Sequence, residues 1–452
     1  MRRPNYEVDM LSGPLVKPIL MFAIPLMLTG ILQLLFNAAD IIVVGQFAGS
    51  TALAAVGSTS SLINLIVNLF MGMSIGASVV VAQNYGAGKW KDVSQSVHTA
   101  MGLSLVCGIL VMILGIAVSR PLLHLMGSPD DVLDQAALYM KIYFIGMPAS
   151  MMYNFGAAIL RAVGDTRRPL YYLSIAGVIN VVFNLIFVIV FHMGVAGVAI
   201  ATVISQCVSV VLIVLCLIRT DGCIHLDIKH VKITKDKFIE MMKVGIPAGL
   251  QGSVFSISNV LIQSAVNSFG SMVMAGNAAA SNLEGFMYTS MNSIYQANLT
   301  FTSQNVGARQ YDRIGLILRR CILTVTVIGV SLGGLFYLLG PKLLRLYTTD
   351  PEVVHMGMIR LSIFTTTYFL CGWMDVLVGS LRGMGSSIMP LIVSVLGACV
   401  FRIVWVYTIF AANRSLATLY ISYPISWVIT AAAHFICYLY IKRKLMKKAT
   451  LE

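Results

Sequence analysis

The sequence predicts an all-α polytopic membrane protein, with twelve transmembrane helices in two six-helix lobes related by a parallel internal repeat. Three observations carry this: a composition too apolar for a soluble body, twelve long apolar runs, and motifs that recur at a nearly constant offset. Of 452 residues, 58% are apolar and 11% charged, against roughly a quarter charged in ordinary soluble domains. Eighteen acids and 31 bases cannot coat a soluble body of 49 kDa, which excludes a cytosolic enzyme and a disordered chain. The +13 net charge would suit nucleic acid only if the bases formed a patch on a soluble domain. They fall between apolar runs instead, so the expected partner is the lipid bilayer and no nucleic acid.

A membrane helix needs about 20 mostly apolar residues. Breaking the chain at Gly, Pro and charge leaves runs near 17–43, 52–82, 94–118, 136–160, 169–191 and 195–218, then 241–266, 275–301, 315–339, 356–380, 387–411 and 416–441. None alternates with the period of two that a barrel strand requires. With the N-terminus placed inside, the cytoplasmic segments, including Arg2 and Arg3, hold 24 of the 31 bases. The positive-inside rule then puts both termini in the cytoplasm of a multi-pass inner (plasma) membrane protein. The first run is too long for a signal-peptide core and is expected to remain as the first helix. The domains expected are an N-terminal lobe over 1–218, a polar linker over 219–238, a C-terminal lobe over 239–441 and a basic tail over 442–452. The eight cysteines show no metal or redox spacing and read as small apolar fillers.

Four motifs repeat in the same order. Ala23-Ile24-Pro25 recurs as Gly245-Ile246-Pro247, and Gln83-Asn84-Tyr85-Gly86-Ala87 as Gln304-Asn305-Val306-Gly307-Ala308. Ser128-Pro129-Asp130 is matched by Asp350-Pro351-Glu352. Leu160-Arg161-Ala162-Val163-Gly164 is matched by Leu381-Arg382-Gly383-Met384-Gly385. Every offset is 221 or 222 residues. Six helices per copy is an even number, so both copies enter the bilayer in the same direction, a transporter architecture with a site where the lobes meet.

These residues also carry a resemblance. Phe36-Asn37-Ala38-Ala39-Asp40 followed by Gly45, then Ala54-Ala55-Val56-Gly57, resembles the start of a multidrug and toxic compound extrusion (MATE) transporter. The paired Gln-Asn-x-Gly-Ala and Leu-Arg-x-x-Gly segments occupy that family's places, as does Gly194-Val195-Ala196-Gly197-Val198-Ala199 leading to Thr202. The resemblance implies export of organic cations or other amphipathic compounds against inward H⁺ or Na⁺. It also places the N-lobe cation site on Asp40, Asn180, Asn184 and Thr202. Some members have a second acid on the fifth helix where this chain has Asn184, which leaves one strong charge and both coupling ions open.

Ionisable groups inside spans are costly and mark candidate sites. Thr29, Gln33, Asn37 and Asp40 are spaced 4, 4 and 3, one polar face of the first helix. Pro25 lies one turn before it and removes a backbone donor, so it is the candidate hinge. Asn180 and Asn184 are a turn apart, and Thr202, Ser205, Gln206 and Ser209 line the next helix. With Asp40 they offer oxygens that suit Na⁺ or a hydrogen-bonded proton; no metal site is otherwise expected. Asn277, Ser281, Glu284, Tyr288, Asn292 and Tyr295 share a face of the eighth helix. There Glu284, with Tyr288, Asn277 and Tyr295, could attract an organic cation by charge and ring contact.

The structural alternatives are specific. Glu284 would pair with a base, Arg402 being the only arginine counted deep in a span, and Arg402 itself would pair with an acid or reach outward. Asp375 either binds substrate or pairs with Arg382, and His434 packs within its helix. The Asn/Ser/Thr set could simply hydrogen-bond between helices. Gly72-Met73-Ser74-Ile75-Gly76 and Gly329-Val330-Ser331-Leu332-Gly333 fit a hydrolase elbow in letters only, because within a span that spacing packs helices. The sequon Asn298-Leu299-Thr300 falls inside a span. The expectation is a monomeric ion-coupled antiporter, not an enzyme, needing no cofactor beyond transported H⁺ or Na⁺. Asp40 would carry the ion and Glu284 would attract substrate. The alternative is a flippase for lipid-linked substrates, which needs an Arg/Lys-lined lumen for the pyrophosphate.

Overall fold

The computed structural model describes residues 7–125 and 130–451. Arg2, Arg3, Ser128 and Pro129 lie outside the described residues. The chain is helical throughout: α1 (Val16–Phe47), α2 (Ser50–Gly86), α3 (Trp90–Leu125), α4 (Asp130–Ile145), α5 (Met147–Ala162), α6 (Arg167–Leu185) and α7 (Gly194–Arg219) are followed by α8 (Lys235–Asn267), α9 (Ser271–Gly307), α10 (Tyr311–Leu344) and α11 (Pro351–Gly383). Then come the short α12 (Ile388–Ser394) and α13 (Phe401–Trp405), and finally α14 (Leu416–Leu451). Wider π turns continue α6 over Ile186–Val190 and join α12 and α13 over Val395–Val400, with a further one over Val406–Phe410.

Among the described residues, ten spans are long and apolar enough to cross a membrane. The twelve expected runs are matched approximately, and the two exceptions have physical reasons. The run 136–160, expected as one helix, is two helices of 16 residues meeting at Gly146, with a proline at the start of the second. The run 275–301 is the 37-residue α9, a continuous helix too polar to register as a span, because it buries Asn277, Glu284, Ser290, Asn298 and Asn305.

Two compact units form. One holds Met1–Val8 and Leu28–Ser253, the other Asp9–Met27 and Val254–Glu452. Pro25 lies within the uninterrupted α1 and Pro247 within α8, each a few residues before its helix passes from one unit's residues to the other's. In the first unit α2 meets α8 backbone to backbone. A Cβ on Gly72 would stand 2.1 Å from Gly249 N, and one on Gly76 2.2 Å from Met241 O. In the second, a Cβ on Gly333 of α10 would stand 2.0 Å from Thr365 O of α11. Both G-x-S-x-G segments are therefore close-packing seams, as small residues at this spacing allow.

The repeat is visible in backbone detail. Ala87 and Ala308 cap α2 and α9 by donating to Gln83 O and Gln304 O at 3.0 and 2.9 Å. Lys89 N and Gln310 N then reach Asn84 O and Asn305 O at 3.1 and 2.9 Å. Gly164 and Gly385 both take positive φ, 101° and 83°, a conformation that costs glycine least. The linker after α7 is docked rather than loose: Ile224 and Leu226 are buried, Asp227 N donates to His98 Nε2 at 3.1 Å, and Thr234 N donates to Thr99 Oγ1 at 3.1 Å. The helix α8 begins at Lys235, within the segment 219–238 expected as linker. The eight cysteines are free.

Candidate functional site

In the first unit, α1 comes close to α6 because Gly177 has no side chain. A Cβ there would stand 1.8 Å from the Phe36 ring. One turn beyond Phe36 on α1, Asp40 accepts a short hydrogen bond from Asn184 Nδ2. The chain continues from Asn184 Nδ2 to Asn180 Oδ1 at 3.3 Å and from Asn180 Nδ2 to Thr202 Oγ1 at 3.4 Å. Asn180 and Asn184 are buried, and Asn184 Oδ1 has no hydrogen-bond donor. Four predicted residues from three helices thus form one network holding a single carboxylate. A carboxylate only accepts hydrogen bonds, whereas a protonated carboxyl also donates one. Asn184 can answer both forms, with Nδ2 for the first and Oδ1 for the second.

The rest of the predicted set stands apart. Gln33 and Asn37 are exposed on α1 and make no hydrogen bond to a described residue. Ser205 and Ser209 donate back to their own helix, at Thr202 O and Gln206 O. Tyr139 and Tyr143 of α4, which sequence reasoning missed, stack at 6.1 Å and lie within electrostatic reach of Asp40. Their spacing of four on one helix face was the available signal.

In the second unit the predicted substrate face of α9 divides into three neighbourhoods. Glu284 is held by Arg360 of α11 in a bidentate pair, Nε to Oε1 and Nη2 to Oε2, both at 2.7 Å. Arg360 Nη1 also donates to Asn277 Oδ1 at 2.7 Å, which accepts from Tyr420 OH at 3.1 Å as well. Asn277 Nδ2 completes the set by donating to Gln263 Oε1 at 3.0 Å. The pairing of Glu284 was foreseen with Arg402, and the structure corrects the partner to Arg360, whose side chain is 11% exposed. The premise that Arg402 is the only deep arginine falls with it. Tyr288 lies within electrostatic reach of Asp375, while Tyr295 accepts from Arg382 Nη1 at 2.7 Å.

Two further pairings are corrected. Among the described residues Asp375 makes no hydrogen bond and no contact ion pair: Arg382 donates to Tyr295 instead, and its charge acts on the half-buried carboxylate only at longer range. Among the described residues Arg402 pairs with no acid, and it does not reach outward; it is buried and donates to Ser426 Oγ. His434 is packed as expected, with Nε2 3.0 Å from Ser394 Oγ. Asn298 of the sequon is buried and donates to Ser380 Oγ at 2.7 Å.

Comparison with known proteins gives a consistent answer. The MatE family model matches residues 25–186 and 247–408, one stretch in each repeat. The chain is 27% identical over 442 residues to the probable multidrug resistance protein YpnP of Bacillus subtilis (strain 168), covering 98% of this chain and 99% of that protein. It is 26% identical over 382 residues to the probable multidrug resistance protein YoeA of the same strain, covering 83% and 82%. Among solved structures, it superposes with a TM-score of 0.91 at 22% identity on MATE in the straight conformation, over 98% of this chain and all of that one. An outward-facing multidrug resistance MATE family transporter of the MOP superfamily also gives 0.91 at 22% identity, over 99% of this chain.

Proposed function

This chain belongs to the MatE family, and on that premise we propose that it is an ion-coupled antiporter that exports organic cations or amphipathic compounds from the cell in exchange for inward H⁺ or Na⁺. It works in the inner membrane as a monomer with both termini in the cytoplasm. Two six-helix lobes, 1–218 and 239–441, alternate access to the substrate. The observation that supports the reading best is the Asp40–Asn184–Asn180–Thr202 chain. It is one carboxylate among neutral amides and a hydroxyl, with the buried Asn184 Oδ1 lacking a donor.

Such a set can change its charge by one without rebuilding its hydrogen bonds. With Asp40 ionised, Asn184 donates to it; with Asp40 protonated, the new O–H has Asn184 Oδ1 to donate to. A Na⁺ ion entering from outside would be ligated by the same oxygens. Either event neutralises the only carboxylate of the cluster, and α1 answers by bending at Pro25, where the helix lacks one backbone donor.

On the substrate side, Glu284 is already neutralised by Arg360, so a bound cation would displace that guanidinium or go to Asp375 beside Tyr288. Substrate-loaded vesicles with an imposed H⁺ or Na⁺ gradient test the reading. Efflux should follow one gradient and be lost in Asp40→Asn. Efflux that persists with both gradients collapsed would sink antiport. Unchanged efflux in both Asp40→Asn and Glu284→Gln would sink the residue assignment.

A further inference from the structure

In the second unit α10 and α14 both pack along α11 but scarcely touch one another, which leaves a groove between them. The groove has a volume of about 610 Å³. Leu318, Ile322, Leu370, Leu377 and Val428 make its walls apolar, and the small Gly315, Ala431 and Ala432 keep it open. Trp373 of α11 also lines it, fixed by donating Nε1 to Thr326 Oγ1 at 2.7 Å. Val428, Phe435 and Leu439 are exposed beside it. Along α14 the groove runs from Val428 to Lys442, a rise of about 21 Å, against roughly 15 Å for the hydrocarbon of one leaflet. In a bilayer an apolar groove on a spanning helix pair is filled by acyl chain, because no water is there to fill it.

One end of the groove is polar, and its charge has a single sign. Arg319 and Lys442 line it, and among the described residues neither forms an ion pair. A Cβ on Gly315 would stand 2.9 Å from Lys442 Nζ and 3.9 Å from Tyr438 OH. The ammonium and the phenol therefore converge on one point of α10, and Arg319 follows Gly315 by one turn on the same face. Tyr438 is 3% exposed, yet its OH has no hydrogen-bond partner among the described residues. Its ring stacks on Phe435 at 6.2 Å, which holds the hydroxyl in place. A buried hydroxyl left unpaired is costly. Beyond the groove the exposed Arg320, Arg443 and Lys444 continue the basic end. It is the end that the distribution of bases assigns to the cytoplasm, where the leaflet surface is negative.

We propose that the groove between α10 and α14 binds one anionic phospholipid of the cytoplasmic leaflet. One acyl chain lies along α14, and the phosphodiester sits between Arg319 and Lys442. Arg319 presents a fork to two phosphate oxygens, Lys442 a point charge, and Tyr438 a neutral donor. The bound lipid joins α10 to α14, which the chain by itself leaves apart. The site lies wholly within the second unit and does not depend on the transport reading.

Delipidated full-length protein in a neutral detergent is titrated with phosphatidylglycerol or with phosphatidylcholine of the same acyl chains, and native mass spectrometry counts the lipid retained. Two basic contacts predict that wild type holds phosphatidylglycerol roughly tenfold more tightly or better. Because the lipid binds the folded state, phosphatidylglycerol should also raise Tm more than phosphatidylcholine does. Arg319→Gln combined with Lys442→Gln should abolish the preference. Arg320→Gln combined with Lys444→Gln removes the same charge just outside the groove and should leave the preference intact. Ala432→Trp fills the groove with both cations in place and should lower retention of both lipids. Equal retention of the two lipids by wild type overturns the proposal. So does a preference that survives Arg319→Gln with Lys442→Gln, or one lost equally with Arg320→Gln and Lys444→Gln. Displacement of the lipid by an equal concentration of glycerol 3-phosphate assigns the basic end to a free phosphate ester and overturns it as well.

Discussion

Arg360 lies over Phe364 and Tyr420 and Arg402 over Tyr423 and Trp427, yet among the described residues only Arg360 has an anion, and that difference governs how each responds to substitution. Removing one partner of a buried pair leaves an uncompensated charge, at roughly 3–5 kcal/mol. Arg360→Met should therefore lower stability by about that amount, whereas Arg360→Met combined with Glu284→Gln should recover most of it. Thermal unfolding in detergent reads the double-mutant cycle, and additive losses would contradict the pairing. Asp40 obeys a different logic, because its partner is a neutral amide. Asn184→Leu should preserve folding yet weaken gradient-driven efflux several-fold, measured in the same vesicles as wild type. Asp40 could be read from the sequence because a lone acid on a polar helix face stands out against 58% apolar residues. The partner of Glu284 could not. Arg360 follows 76 residues later on another helix, and no spacing rule connects residues on different helices.

At the scale of elements, the closest approaches are made by glycines that look unremarkable in the sequence. Gly72 faces Gly249 with no room for a methyl group, whereas a Cβ on Gly57 would meet nothing within 4 Å. Gly72→Val should abolish a monodisperse preparation or lower stability by at least about 3 kcal/mol, above the usual cost of overpacking because the obstacle is backbone. Gly57→Ala should be near neutral, and equal behaviour of the two variants on size exclusion and thermal unfolding would contradict the seam. The linker makes a second case. His98 Nδ1 is 2.7 Å from Ser94 O, which leaves Nε2 as the acceptor for Asp227 N. His98→Ala should expose the segment between Arg219 and Lys235 to limited proteolysis several-fold faster. Apolar run length located α1, α2 and α3 well, but it joined α4 to α5. A glycine between two apolar stretches leaves hydropathy unchanged even when it ends a helix.

For the whole molecule, the repeat is the governing fact. The family match falls into two stretches, 25–186 and 247–408, each beginning at the Ile-Pro proline of a long helix. Pro25 sits just before α1 passes from one compact unit's residues to the other's. Replacing it with alanine restores a backbone donor and stiffens the turn. Pro25→Ala should leave substrate affinity within about twofold while slowing gradient-driven efflux by tenfold or more; loss of both together, in binding and flux assays on one preparation, would show a folding defect instead. The membrane class, the repeat, the family and the candidacy of Asp40 were legible in the sequence alone, because hydropathy, offset and helical spacing are properties of a single line of residues. Which charges neutralise one another was decided only by the tertiary structure. Glu284 found Arg360, Asp375 and Arg402 found no contact ion pair among the described residues, and Asn184 joined Asp40, because these contacts depend on helices brought side by side at glycines that carry no signal of their own.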